Sequence, residues 1–288
     1  MSNRIVVIGH TGFIGKAIFN KLTNKEVNCI GLSSNEANLL LEEDNKNIEE
    51  SINNNDSIIF VSALAPCKDS DMYNKNLIMI NNFIKSISNK SIKHILYVSS
   101  DAIYQDSMDL ITEQHGKNID NFHAKMHVDR EKILDLYCNN KNIDLTIVRP
   151  TLVYGPGDTH NGYGPNKFIR DINSKRELIL FGKGEERRDH IFIDDLVDIV
   201  IHFMSNNVIG DFTLASGKVI SFYDIAKIIC DLKNIDSSKI QFLDRKLPMP
   251  HNGYRAFNID KLKKNIPELF ITDIKNGIKK SINELFYL

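Results

Sequence analysis

The chain predicts an α/β fold in which a doubly wound parallel sheet is followed by a smaller C-terminal α+β lobe. Three observations carry that prediction. Short β-branched runs alternate with longer helical patterns through the first half of the sequence, the succession that builds βαβ units. Those runs, such as "SIIFVSA" and "HILYVSS", are apolar at most consecutive positions, as strands covered on both faces are. A glycine-bearing turn, "GHTGFIG", stands between the first run and the first helix. At 288 residues the chain can bury a sizeable interior and fits one or two cooperating domains.

In chain order, "RIVVIGH" reads as a strand and "GKAIFNKLTN" as its helix. The pairs "VNCIGLS" with "IEESINNN", "SIIFVSA" with "LIMINNFIKSI" and "HILYVSS" with "VDREKILDLYC" repeat that unit, and "LTIVRP" closes the series. The Gly-, Pro- and Asn-rich stretch "GDTHNGYGPN" then breaks the pattern and marks a boundary. Beyond it, "HIFI", "LVDIVIHFMSN" and "DFTLAS" again read as strand, helix and strand, so the chain is expected to cross back. The patterns "FYDIAKIICDLK", "KIQFLD" and "DIKNGIKKSINELF" supply the smaller lobe. The expected division is residues 1–154 for a Rossmann-like dinucleotide domain, rejoined at about 188–216, with 155–288 mainly a second lobe.

Lysine plus arginine number 36 against 37 acidic residues, a net charge of −1. That balance, without a long basic run, excludes a nucleic-acid partner. Cys29, Cys67, Cys138 and Cys230 are scattered with no CxxC pair, which speaks against a disulfide framework or zinc ribbon and for a reducing, cytoplasmic setting. The apolar stretches fall short of membrane-spanning length, so no membrane partner is expected.

Glycines at a strand-to-helix turn let backbone N–H groups approach a pyrophosphate while the helix N-terminus adds partial positive charge. Gly9, Thr11, Gly12, Phe13, Ile14 and Gly15 are therefore expected to contact a dinucleotide, with Ser33 and Asn38 after the second strand and Ala63 and Leu64 after the third. The end of the second strand, "IGLSSNE", offers neither the carboxylate usual for NAD nor the arginine usual for NADP at Ser33 and Ser34. NAD is the expected cofactor, with NADP left open.

Taken in order, "GHTGFIG", "DSIIFVSALA", "VSSDAIY", "HAKMHVDREKIL", "RPTLVYGPGD" and "GKGEERRDHIFIDDL" resemble the extended short-chain dehydrogenase/reductases, the NAD-dependent epimerases, reductases and dehydratases of nucleotide-activated sugars. The likeness covers nearly the whole chain. It implies hydride transfer at a sugar carbon, a nucleotide-sugar substrate, and a homodimer formed through the helices in "YNKNLIMINNFIKSI" and "VDREKILDLY". The family's YxxxK pair, written YGxxKxxxEKIL, overlays "HAKMHVDREKIL" without a gap. His123 then stands in place of the tyrosine and His127 in place of the lysine. The competing register, Asn121 with Lys125, breaks the match to "EKIL", and the formal YxxxK at Tyr137 and Lys141 falls too near the helix end.

An imidazole titrates near pH 6.5 against about 10 for a phenol, so His123 can serve as general acid/base without a lysine beside it. His127, one turn away on the same face, is expected to bond the nicotinamide ribose and, if charged, to lower the pKa of His123. The resemblance places Ser100 against the reacting hydroxyl and Asp101 beside it as proton donor or turn cap. The dehydratases' Thr-Asp-Glu is here Ser100, Asp101 and Ala102, so epimerisation or keto-sugar reduction is favoured over 4,6-dehydration. Two other readings remain: zinc on the histidine pair, disfavoured because Ala124 replaces the glutamate of a zinc helix, and an NAD(P)- or nucleotide-sugar-binding protein without turnover. No metal is expected. On the substrate side, the resemblance assigns Arg188 to the pyrophosphate, and Arg255 in "GYRAFNID" is the candidate for a second clamp, a role that suits a planar guanidinium. Tyr163, Asn166 and Lys167 are expected to line the substrate cleft, with His160 beside them.

Overall fold

The computed structural model describes residues 4–158, 162–174 and 177–284. In chain order the elements are β1 (Ile5–Ile8), α1 (Phe13–Asn24), β2 (Cys29–Leu32), α2 (Asn45–Ser51), β3 (Ser57–Phe60), α3 (Ser70–Ile87), β4 (His94–Val98), α4 (Phe122–Lys141), β5 (Asp144–Pro150), β6 (Leu152–Tyr154) and α5 (Pro165–Asn173). There follow β7 (Leu178–Phe181), β8 (Arg187–Phe192), α6 (Ile193–Asn206), β9 (Gly210–Leu214), β10 (Val219–Ser221), α7 (Phe222–Lys233), β11 (Ile240–Leu243), β12 (Tyr254–Arg255), α8 (Asp260–Asn265) and α9 (Ile274–Glu284). Among the described residues no helix is long and apolar enough to cross a membrane.

The chain divides into two compact units. The first holds the residues up to Gln105, Glu113–Pro150 and Val197–Thr213. Its six-stranded sheet runs β2-β1-β3-β4-β5-β9, and β1 to β5 pair in parallel. The predicted doubly wound parallel sheet is present, and its apolar runs are buried at every position in β1, β3 and β4. Val6, Ile58, Phe60, Phe83, Ile95 and Tyr97 lie in one core cluster, with the Phe60 and Phe83 rings stacked at 4.5 Å. From β1 the chain goes to β2 on one side and to β3 on the other. The order reverses between β1 and β3, and a crevice opens beyond the carboxyl ends of strands at such a point.

Local chemistry fixes the helices that matter for the site. Asp69 caps α3 by accepting from Met72 N at 2.9 Å. Asn121 caps α4 by accepting from Ala124 N at 2.8 Å, and Asn142, in the left-handed region with φ 54°, ends it. Helix α4 therefore begins one residue before His123, which lies in its first turn.

The second unit holds Asp106–Thr112, Thr151–Leu196 and the residues from Leu214 onward. Strand β8 is its centre, pairing with β10 antiparallel and with β6 and β12 in parallel. A parallel pair, β7 with β11, forms a separate ribbon. The return to the first unit begins at Val197 rather than at about 188, because "HIFI" is used by β8 within this second sheet. An apolar run suits either sheet equally, and cross-strand partners far away in sequence decide between them.

Candidate active site

The turn after β1 is built for close backbone approach. Gly9 has φ +95°, and a Cβ there would lie 2.7 Å from Ser62 Oγ. A Cβ on Gly15 would lie 2.1 Å from Gly9 O, whereas one on Gly12 would find nothing nearer than Gly9 O at 3.6 Å. Gly9 and Gly15 are thus required by packing, and Gly12 leaves open space at the N-terminus of a twelve-residue helix. Thr11 is exposed beside it, and Phe13 and Ile14 are half-buried. The exposed N-terminal N–H groups and the space at Gly12 fit a pyrophosphate.

At the end of β2 a carboxylate is present after all. Glu36 turns back so that its Oε2 accepts from Ser33 N at 2.7 Å and from the Ser33 hydroxyl, and those bonds lower its pKa. The acid lies about 20 residues past the last loop glycine, which is the signal that would have found it. Asn38 is occupied in its own loop, its Oδ1 accepting from Leu40 N at 3.0 Å. On the other side of β1, the segment after β3 is fastened from two helices. Leu64 N donates to Asn76 Oδ1 at 2.9 Å, and Asn76 Nδ2 donates to Leu64 O at 3.0 Å. Arg130 of α4 donates to Ser62 O at 2.7 Å. Ala63 and Leu64 are half-buried between these ties.

The two histidines meet edge to face on α4 with ring centroids 4.9 Å apart. Cys67 N donates to His123 Nδ1 at 3.3 Å. With Nδ1 accepting, the neutral ring carries its hydrogen on Nε2. Burial pushes the His123 pKa below its ordinary value, and the Asp101 carboxylate opposes the shift. His127 is buried at 4% exposure, with Nδ1 2.8 Å from the Tyr97 hydroxyl. Burial first, then His123 and the Arg130 guanidinium, hold its pKa well below the usual range. The condition under which a charged His127 would act on His123 is therefore not met. A positive charge stands one turn further on instead: Arg130 is fully buried with its guanidinium 5.0 Å from the Phe60 ring and 5.2 Å from the Tyr97 ring. Nothing in the spacing of the sequence announces Tyr97 or Arg130.

Ser100 is half-buried and its Oγ accepts from Ala102 N at 3.2 Å, capping the turn Asp101–Ile103. Asp101 is buried in that turn, near enough to His123 to act on its charge. The neighbouring Ser99 donates to Glu131 Oε1 at 2.6 Å, and Arg149 pairs with both Glu131 oxygens at 2.9 Å. That buried pair ties β4 and β5 to α4 beneath the histidines. Asn121 is the cap of α4, and Lys125 is exposed with its ammonium 5.1 Å from the Tyr73 ring. Among the described residues no group of three His, Cys, Asp or Glu side chains is arranged to hold a metal ion.

In the second unit, the pairing of β12 with β8 sets Arg255 opposite Arg188. Arg188 Nη1 bonds Glu186 Oε1 at 3.2 Å, and Arg255 Nη1 bonds Asp106 Oδ1 at 2.8 Å. Tyr163 is half-buried among Phe168, Phe181 and Phe222, its hydroxyl accepts from Phe181 N at 3.2 Å, and burial pushes its pKa up to about 12. Asn166 is buried with its amide engaged by Gly155 N at 3.2 Å and Asp158 at 2.6 Å. Lys167 pairs with Asp171 one turn on. Asn166 thus organises the loop after β6. His160 lies outside the described residues.

A parallel sheet whose strand order reverses beside a glycine turn defines the class of α/β proteins that receive a nucleotide at the carboxyl edge of the sheet. Within that class, the chain belongs to the NAD dependent epimerase/dehydratase family, whose model matches residues 5–214. It is 23% identical to the uncharacterized UDP-glucose epimerase YtcB of Bacillus subtilis (strain 168), over 99% of this chain and 98% of that protein. It is 20% identical to N-acetyl-alpha-D-glucosaminyl-diphospho-ditrans,octacis-undecaprenol 4-epimerase of Escherichia coli O157:H7, over 88% of this chain and 76% of that protein. The UDP-glucose 4-epimerase of Thermotoga maritima, solved with UDP-glucose, shares the fold at a TM-score of 0.87 and 18% identity, covering 99% of each chain.

Proposed function

We propose that the chain binds NAD at the turn between β1 and α1 and exchanges hydride with a carbon of a nucleotide-activated sugar, as an epimerase or keto-sugar reductase, with His123 as general acid/base. The observation that carries this reading is the setting of His123. Its ring projects from the first turn of α4, half-buried, with Nδ1 engaged by Cys67 N and Asp101 and His127 beside it. Bound NAD supplies the hydride donor or acceptor; the chain's residues handle the proton. In the reducing direction the ring works from its protonated form, with hydrogens on both nitrogens and the Cys67 bond released: Nε2–H gives its proton to the sugar carbonyl oxygen as that carbon is reduced, leaving a neutral ring with its hydrogen on Nδ1. In the oxidising direction Nε2 takes the proton of the sugar hydroxyl, which requires the other tautomer and release of the Cys67 bond. In this reading Ser100 hydrogen-bonds the reacting sugar oxygen, and Asp101, whose carboxylate acts on the charge of His123, favours the protonated ring. His127, neutral and held by Tyr97, orients His123 and gives a hydrogen bond to the nicotinamide ribose.

Glu36 supports NAD over NADP, because a carboxylate accepts from a ribose 2′-hydroxyl and repels a 2′-phosphate. The family membership and the paired Arg188 and Arg255 support a diphosphate-linked sugar. The exposed apolar residues Ile78 of α3 and Leu136 of α4 support a homodimer through those helices. Mass spectrometry of the small molecules released on denaturing the purified protein tests the reading. NAD together with a nucleotide sugar is the result expected of an epimerase, and NAD alone that of a reductase. Absence of a dinucleotide, together with failure of added NAD and NADP to bind, overturns the proposal.

A further inference from the structure

The second unit contains an ion cluster that the sequence did not announce. Asp106 begins the short segment Asp106–Thr112, which is tied to β12 and its continuation: Ile111 bridges to Phe257, with Ile111 N donating to Ala256 O and Asn258 N to Ile111 O, both at 2.9 Å. The Asp106 carboxylate touches two groups at once, Arg255 Nη1 at 2.8 Å and His251 Nδ1. His251 and Asn252 both stand in the left-handed region, with φ of 52° and 51°, a backbone that non-glycine residues keep only where their surroundings hold it. Here the side chain of His251 is held between Asp106 and Arg255, 3.3 Å from the latter.

Exposure orders these groups. The Arg255 side chain is 1% exposed, whereas those of Asp106 and His251 are 38% and 26% exposed. An anion arriving from solution meets the carboxylate before the guanidinium. A sugar-nucleotide diphosphate carries about two negative charges, so it cannot share Arg255 with Asp106 without strong repulsion. Arg188, opposite Arg255 in the β8–β12 register, is held by Glu186, which Arg245 also approaches at 3.7 Å.

We propose that Asp106 is a built-in counter-ion that neutralises Arg255 until a diphosphate-linked ligand replaces it, and that His251 takes up a proton as the carboxylate leaves and the diphosphate arrives. The proposal rests on the reading of Arg188 and Arg255 as a diphosphate clamp. The charged groups facing His251 are Arg188 from β8, Arg255 from β12 and Asp106. Burial, with the two arginines, lowers its pKa against the pull of Asp106. Replacing one negative charge by two shifts that balance toward the imidazolium, so binding becomes tighter as pH falls.

Calorimetric titration with UDP-glucose, whose diphosphate diester does not titrate near neutrality, tests the idea on the wild-type protein and on Asp106→Asn, His251→Gln and Arg188→Ala. Between about pH 8 and pH 6 the wild type should tighten by up to about tenfold per unit with uptake of a proton. Asp106→Asn should bind more tightly than wild type at the higher pH, by about tenfold, and His251→Gln should lose the pH dependence. Weaker binding by Asp106→Asn, as loss of a residue that positions Arg255 would give, overturns the proposal, and so does an unchanged pH slope in His251→Gln. If Arg188→Ala abolishes binding while Asp106→Asn leaves it unaltered, the clamp stands and the counter-ion falls. If the wild type binds and Arg188→Ala binds equally well, or if UDP-glucose and other nucleoside diphosphate sugars fail to bind at all, the clamp itself falls and takes this proposal with it.

Discussion

Replacing Gly12 separates what the turn after β1 does for the fold from what it does for a ligand. Gly12 is the N-cap of α1 with φ −75° and ψ 167°, a conformation open to any L-residue, and its Cβ would meet nothing nearer than 3.6 Å. In Gly12→Val the poorer cap costs about 1 kcal/mol or less, and the smaller entropy of the unfolded chain returns about 0.4–1 kcal/mol. The fold should therefore hold. A dinucleotide should not bind, because the branched side chain fills the space through which N–H groups reach the pyrophosphate. Losing two charge-assisted hydrogen bonds of about 1.5–3 kcal/mol each predicts a weakening of NAD binding by about 10² to 10⁴. Gly15→Ala is the contrast: its Cβ falls 2.1 Å from the backbone oxygen of Gly9, which has no side chain to move aside, and destabilises by about 3 kcal/mol or more. Urea unfolding and NAD titration of both variants check this. A Gly12→Val protein with wild-type NAD affinity refutes the placement of the pyrophosphate, and one that unfolds like Gly15→Ala refutes the division of labour.

Glu36→Ser should shift cofactor preference toward NADP by about tenfold or more in the ratio of dissociation constants, with unchanged selectivity counting against the role given to Glu36. Stability should fall on acidification: burial lowers the pKa of His94 to about 4 and of His190 to about 3, and lowers those of His123 and His127 as well. These rings bind protons more readily when unfolded, so their contribution is present above about pH 6.5 and is lost as pH falls below it, by up to about 1.4 kcal/mol per histidine per pH unit. Denaturant midpoints at about pH 7.5 and pH 5.5, compared with His94→Gln, check the slope. Light scattering at micromolar concentration should return the mass of a dimer, and Leu136→Asp on the exposed side of α4 should reduce it to that of a monomer.

Most of the first unit was legible because its strands are apolar on both faces and its glycine turn falls between strand and helix. The second unit was less so. The strand "HIFI" carries no mark of which sheet it joins, and only its partners on β6, β10 and β12 decide. The pattern "VDREKILDLY" alternates apolar and charged residues, yet α4 buries Arg130 and Glu131 and exposes Leu136. Arg130 lies against the rings of Phe60 and Tyr97, and Glu131 against Arg149, partners from other elements that outweigh the polarity of the side chains. Glu36 is not marked at the strand end because its carboxylate reaches back to Ser33 from three residues downstream. Asp106 and Arg255 are 149 residues apart, a separation that no local pattern spans.

Turnover of one nucleotide sugar by the wild type, His123→Ala and Lys125→Ala, followed through NADH absorbance or product isomer ratio, tests the central claim most directly. His123→Ala should lower kcat by about 10² to 10⁴ with little change in substrate binding, and Lys125→Ala, on the exposed face of α4, should stay close to wild type. Loss of activity in Lys125→Ala with His123→Ala unaffected, or normal turnover in both, would contradict the assignment of the proton to His123.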